Sequence, residues 1–181
     1  MLSIILIAIA VAIAALVLFI ASRPGKFRIS RSATISAPPD VVFARVNDFR
    51  NWQAWSPWAR LDPDAKNTFE GITSGAGSTF RWEGNAKVGQ GAMSILESEP
   101  NERILLQLDF LKPFEATNAV EFTFAPSGAS TVVTWTMTGR STFVMKAVGL
   151  FVNCDKMIGE QYEQGLKNLN EVCQGEAVAR R

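Results

Sequence analysis

Along this chain the spacing of apolar and polar positions changes twice. From position 2 to 21 every residue but Ser3 is apolar, leaving no polar face. From Lys26 apolar residues alternate with polar ones, and from 142 to 173 they recur every three or four positions. These three regimes predict a membrane-length helix, then an α+β domain in which an antiparallel sheet of about six to seven strands meets a long C-terminal helix.

Twenty helical residues cover about 30 Å, the thickness of a bilayer core, so residues 2–21 are a transmembrane candidate. The rival reading is a cleaved signal peptide. No Lys or Arg precedes the run, it is longer than a typical signal core, and Phe19-Ile20-Ala21 makes a poor cleavage site. We therefore expect a retained anchor over 1–22 and a short linker over 23–26. Arg23, Lys26, Arg28 and Arg31 follow directly, which by the positive-inside rule puts the folded domain in the cytoplasm. The same side chains suit anionic lipid head groups.

The first strand is carried by Phe27, Ile29, Ala33 and Ile35. Ala37-Pro38-Pro39-Asp40 ends it and opens a short helix with Val42, Phe43 and Val46 as its apolar face. Trp52, Trp55 and Trp58 then recur at spacing three, on neighbouring parts of one turn before Pro57 breaks the helix. Six further strands are expected at 66–72, 78–82, 89–97, 103–111, 115–124 and 131–139, parted by Gly, Pro, Asn and Glu clusters. Connections this short imply an antiparallel meander. Leu106, Leu108 and Phe110 share one face, as do Val120, Phe122 and Phe124, and Val133, Trp135 and Met137.

The last regime places Val144, Ala147, Val148, Phe151, Cys154, Ile158, Tyr162, Gly165, Leu169, Val172 and Cys173 on one helical stripe. That stripe should lie against the sheet. Gly165 sits near its centre, where the missing side chain would let the helix stand off and leave a hollow. The pattern leaves open whether 144–173 is one helix or two jointed near Asn153. Positions 175–181 read as a frayed tail.

Composition narrows the chemistry. The formal net charge is +1 and no long basic run is present, which argues against nucleic acid. The chain has no His, the side chain that titrates nearest neutrality and the commonest metal ligand. There is no Cys-x-x-Cys, phosphate-binding loop or nucleophile elbow, and Gly75-Ala76-Gly77 reads as a turn. Cys154 and Cys173 lie nineteen positions apart on the final helix, roughly 28 Å if it is unbroken, too far to pair. No catalytic centre, metal or cofactor is predicted. Asp109 and Glu121 alternate out of phase with the inward residues and should face solvent, whereas Tyr162 falls within the stripe.

The start Pro38-Pro39-Asp40-Val41-Val42-Phe43, the segment from Asn47 to Trp58, the turn from Trp82 to Gly91 and the strand from Val133 to Gly139 together resemble the START-like (SRPBCC) superfamily, and within it the polyketide cyclase/dehydrase and lipid transport group. The resemblance covers the domain over 27–174 and implies a helix-grip fold that holds an apolar ligand between sheet and final helix. Trp52, Trp55, Trp58, Phe80, Trp82, Phe110, Trp135, Met137, Ile158, Tyr162 and Gly165 are the expected ligand-binding residues. The leading expectation is a membrane-tethered binder of a hydrophobic small molecule, lipid or isoprenoid. The alternatives are a cyclase or dehydratase using the same cavity, and a protein-interaction or cochaperone-like module whose protein partners the sequence leaves unknown.

Overall fold

The computed structural model describes residues 1–179, with side chains described to Gly175. Helix α1 spans Leu2–Ser22 and is followed by β1 (Lys26–Ile35), α2 (Pro39–Asn47), a 3₁₀ turn (Phe49–Asn51), α3 (Trp52–Trp55) and a second 3₁₀ turn (Pro57–Arg60). The meander comprises β2 (Lys66–Gly71), β3 (Ser78–Glu83), β4 (Gln90–Glu99), β5 (Arg103–Lys112), β6 (Ala116–Ser127) and β7 (Ser130–Arg140). Helices α4 (Phe143–Val148) and α5 (Cys154–Ala179) close the chain.

All seven strands form one antiparallel sheet in the order β1-β7-β6-β5-β4-β3-β2. From β2 to β7 consecutive strands are neighbours, and β1 is added at the far edge of β7. The sheet has one buried face because β-period alternation sends every second side chain inward. Ile29, Met137, Val120, Leu106 and Ile95 line up across five strands as one buried row, and Trp135, Phe122 and Ile104 form the next. On the outer face Asp109 accepts hydrogen bonds from Thr117 and Gln107, and Glu121 accepts one from Arg103.

The strand ladders also give the sheet two distinct ends. Lys26 pairs with Arg140 at the end nearest α1, and Ile35 with Thr131 at the other. Because the meander alternates direction, the α1 end also gathers the β3–β4 and β5–β6 turns and the start of β2.

Helix α5 lies on the inner face with Tyr162, Leu166, Leu169 and Cys173 buried. Arg31, on the inward side of β1, donates to Glu163 (2.9 Å) and Asp155 (3.0 Å) and fixes the first turns of the helix over that strand. Asn168 Nδ2 donates to the Trp55 carbonyl at 3.0 Å, tying α5 to α3 from a buried position.

The single stripe expected from 144 to 173 is not continuous. The chain leaves helical geometry after Val148, and Val144, Val148 and Phe151 are exposed instead of facing the sheet. Gly149, at the C-cap, and Asn153, whose side chain caps the Lys156 amide at 3.0 Å, mark the two sides of the joint. Both cysteines remain on one helix, α5, and are free. Helix α5 runs on to Ala179, through part of the segment read as a tail. Arg180 and Arg181 lie outside the described residues.

Candidate functional site

Beneath α5 the inner face is not completely filled. A cavity of about 230 Å³ lies between β3–β7, the Trp-rich segment and the first turns of α5. Trp135, Met137, Val120, Leu108, Phe110, Met93, Phe80 and Trp82 supply its sheet wall, while Ile158 and Tyr162 cover it from the helix. Trp52, Trp58 and Ala59 close one side. At the rim stand Gln53, Asn67 and Lys87, all exposed, with half-buried Asp62 and Ala65. Trp82, Phe110, Lys87, Val88 and Asn67 belong to the α1 end of the sheet, so the cavity extends to that end.

The aromatic rings are locked together. Tyr162 stacks on Trp135 at a centroid distance of 4.0 Å and 8° between planes, and Trp58 meets both rings edge-on at 5.7 and 6.0 Å. At the other side Phe69, Phe80 and Trp82 stack in succession, and Trp82 meets Phe110 at a T-shaped angle. Such offset and edge-to-face pairs each contribute about 0.5–1.5 kcal/mol beyond area burial. A wall held this way is preformed. Gly91 lets the Trp82 ring lie directly over the β4 backbone, in space a Cβ would occupy.

Two of the expected binding residues stand outside the cavity wall. Trp55 is fully buried behind it, its indole N–H donating to the Arg45 carbonyl. Gly165 corrects the idea of a hollow at that position. A Cβ there would stand 2.9 Å from Trp135 Cζ3 and 3.1 Å from Pro57 Cδ, so the missing side chain allows close approach of α5 to the Trp135 ring. The open space lies one to two turns earlier on α5, under Ile158 and Tyr162. Sequence reasoning missed Met93, Leu108, Val120 and the rim. Leu108 shares strand parity with Phe110, whereas Met93 stands opposite Phe80 and Val120 opposite Met137, a register that only the folded sheet gives. The rim residues come from α3, the loop before β2, β2 itself and the β3–β4 turn, which only tertiary packing brings together.

Polar chemistry inside the cavity is sparse. Trp52 Nε1 donates to the Val46 carbonyl at 2.9 Å and Trp82 Nε1 to the Val88 carbonyl at 3.0 Å. Trp135 Nε1 is buried with no partner among the described residues. An orphaned buried donor costs about 1–3 kcal/mol. Trp55→Phe, which loses the hydrogen bond to the Arg45 carbonyl, is therefore expected to destabilise the fold by about 1–2 kcal/mol more than Trp135→Phe, which removes the orphan. Denaturant titration of the two variants reads the difference directly, and equal losses would contradict it.

Burial lifts the Tyr162 phenol well above its ordinary value near 10. The fold thus holds it neutral, as a donor and not a base. Because the unfolded chain ionises first, the contribution of Tyr162 to stability is constant below about pH 10 and falls as pH rises beyond that value. Tyr162 is the single tyrosine. Phenolate absorbance in the native protein should stay absent through pH 10 and appear together with unfolding, and Tyr162→Phe should blunt the alkaline loss. A phenolate titrating near pH 10 in the folded protein would refute this.

A seven-stranded antiparallel sheet gripping a C-terminal helix, with an apolar cavity between them, defines the START-like helix-grip class. Residues 26–174 match the family model for polyketide cyclase/dehydrase and lipid transport proteins, and the chain belongs to that family. Among solved structures it is similar to protein CV1439 from Chromobacterium violaceum (19% identity, TM-score 0.57, 83% of this chain and 98% of that one). It is also similar to Aha1 from Colwellia psychrerythraea, solved as a dimer (15%, TM-score 0.58, 81% and 96%). A third similar structure is StfQ, a di-domain ARO/CYC protein of the steffimycin biosynthetic pathway (11%, TM-score 0.60, 84% and 52%). At these identities the likeness is one of fold. No curated protein sequence matches the chain.

Proposed function

We propose that this protein is a membrane-tethered binder of a small hydrophobic molecule, held in the cavity beneath the first turns of α5. The observation that carries the reading is the aromatic wall. A preformed space of about 230 Å³, lined by Trp, Phe, Met, Leu and Val and rimmed by a few polar groups, has the makeup of a ligand site. Its size suits one ring system or part of a single acyl or isoprenoid chain, the remainder emerging past Gln53 and Lys87. The neutral Tyr162 hydroxyl has no hydrogen-bond partner among the described residues and is available to an acceptor oxygen on the ligand. The family's description as polyketide cyclase/dehydrase and lipid transport supports an apolar guest of this kind.

The tether is α1. It is long and apolar enough to cross a bilayer, and Ile20 is its one buried residue. A linker of three residues, Arg23 to Gly25, separates it from β1, so the domain remains beside the membrane in which apolar molecules concentrate.

The test uses the full chain in lipid nanodiscs containing a photoactivatable fatty acid or, in parallel, a photoactivatable prenol. Irradiation is expected to place adducts on peptides carrying Met93, Met137 and Ile158. Adducts confined to α1 would overturn the binding reading while leaving the tether in place.

A further inference from the structure

Outside α1, the large apolar side chains exposed among the described residues are not scattered. All but Ile72 and Leu96 fall at the α1 end of the sheet or in the α4–α5 segment that follows β7 at that end. Phe114 occupies the β5–β6 turn, while Phe143, Val144, Val148 and Phe151 belong to α4 and the joint after it. Phe151 is 90% exposed. From 141 to 154 the only charged residue is Lys146. Exposed apolar side chains gathered at one end of a fold in this way mark an interaction site.

The fold also fixes where this surface lies relative to α1. Helix α4 packs against α1, and Lys146 Nζ donates to the Ala21 carbonyl at 3.2 Å, at the last turn of the apolar helix. The stretch from Ser22 to Lys26 reaches about 14 Å at full extension. If α1 crosses the bilayer, its C-terminal end lies at the head groups, and α4 is held at that same level. Arg23 and Lys26 stand beside it, as residues at a head-group boundary do.

We infer that α4 and the α4–α5 joint form a second, interfacial membrane contact that seats the domain with the mouth of its cavity against the bilayer, so that an apolar ligand enters from the lipid without crossing water. This rests on the reading of α1 as a membrane span. The occupant of the apolar surface is the lipid interface, because the helix that packs on α4 is the one that enters the membrane. The mouth follows from the ladders: Lys87 and Val88 in the β3–β4 turn and Phe110 at the end of β5 line the cavity and share the α1 end with Phe114. Ile158, one turn into α5, continues from the exposed joint into the cavity wall. On the acidic side, Asp155 is engaged by Arg31 and Glu160 pairs with Lys156, while the exposed Asp64, Glu83 and Glu115 at this end are offset by Lys26, Lys66, Lys87 and Lys112 at the same end.

The experiment uses the full chain in nanodiscs of phosphatidylcholine and phosphatidylglycerol. Cys154→Ser removes the half-buried thiol, and Cys173 is buried with its thiol pushed up to about 11, so it resists labelling. An environment-sensitive fluorophore is placed singly at Ile13→Cys in α1, Phe151→Cys, Lys87→Cys, or Gly128→Cys in the β6–β7 turn at the far end. Quenching by lipids carrying a nitroxide at the head group or shallow in the acyl chain is expected to be at least threefold stronger at 151 and 87 than at 128. Quenching at 151 no greater than at 128, with 13 quenched by a deep-chain nitroxide, overturns the second contact but leaves the tether standing. Quenching at 151 without quenching at 87 overturns the placement of the mouth. An unquenched label at 13 overturns the tether itself and this inference with it.

Discussion

Ala65→Trp is expected to lower photo-crosslinking of a hydrophobic probe inside the cavity by at least tenfold while changing stability by less than about 1 kcal/mol. Ala65 is half-buried, lies at the rim just ahead of β2, and lines the cavity. An indole at this position finds open space in front of it and fills volume that the ligand would use. A tenfold loss corresponds to about 1.4 kcal/mol of binding free energy, a modest demand for blocking an apolar pocket. The fold tolerates the change because partly exposed substitutions away from the core rarely cost much. Ala59→Trp, in the second 3₁₀ turn, blocks the same space from another element and guards against a local effect of the first variant. Probe labelling that survives both changes would place the ligand elsewhere.

Gly165→Leu is expected to act in the opposite way, destabilising the fold by about 2–4 kcal/mol. Its Cβ alone would press against Trp135 Cζ3 and Pro57 Cδ, and the remaining carbons have no free volume on that side of α5. Trp135 cannot yield easily, because its ring is sandwiched by Tyr162 and flanked by Trp52, Trp55 and Phe122. The helix must lift, which also stretches the Asn168–Trp55 hydrogen bond. Gly165→Ala should cost less, since only the first carbon is added. If Gly165→Leu were neutral, the position would be a hollow, as the helical pattern alone had implied. The midpoint of chemical denaturation distinguishes the two.

Much of the architecture was legible from periodicity because burial on one face writes itself into the sequence at period two. Leu106, Leu108 and Phe110, or Val133, Trp135 and Met137, show which side of each strand is inward, and in the fold they stand there or at the cavity wall. The helical stripe was harder. Val144, Val148 and Phe151 are as apolar as Tyr162 and Leu169 and hold the same phase, yet they are exposed. Periodicity reports that a face is apolar and not what covers it, so a surface suited to lipid and one suited to a sheet look alike. Gly165 shows a second limit. A missing side chain is compatible with both empty space and a tight approach, and the choice depends on Trp135, thirty positions earlier on another element. Trp55 repeats with Trp52 and Trp58 and so reads as a site residue, but α3 turns its indole N–H to the Arg45 carbonyl and the ring is buried behind the cavity wall. The rim, made by Asp62 ahead of β2, Asn67 in β2 and Lys87 in the β3–β4 turn, leaves no local signal.

The most direct test of the central claim is native mass spectrometry of the full chain released from nanodiscs made with host lipid extract, run beside Ala65→Trp. The account predicts a reproducible adduct of one apolar molecule on the wild-type chain, recoverable by solvent extraction and lost in the variant. A wild-type chain that emerges unliganded from every lipid composition, or an adduct retained equally by Ala65→Trp, would contradict it.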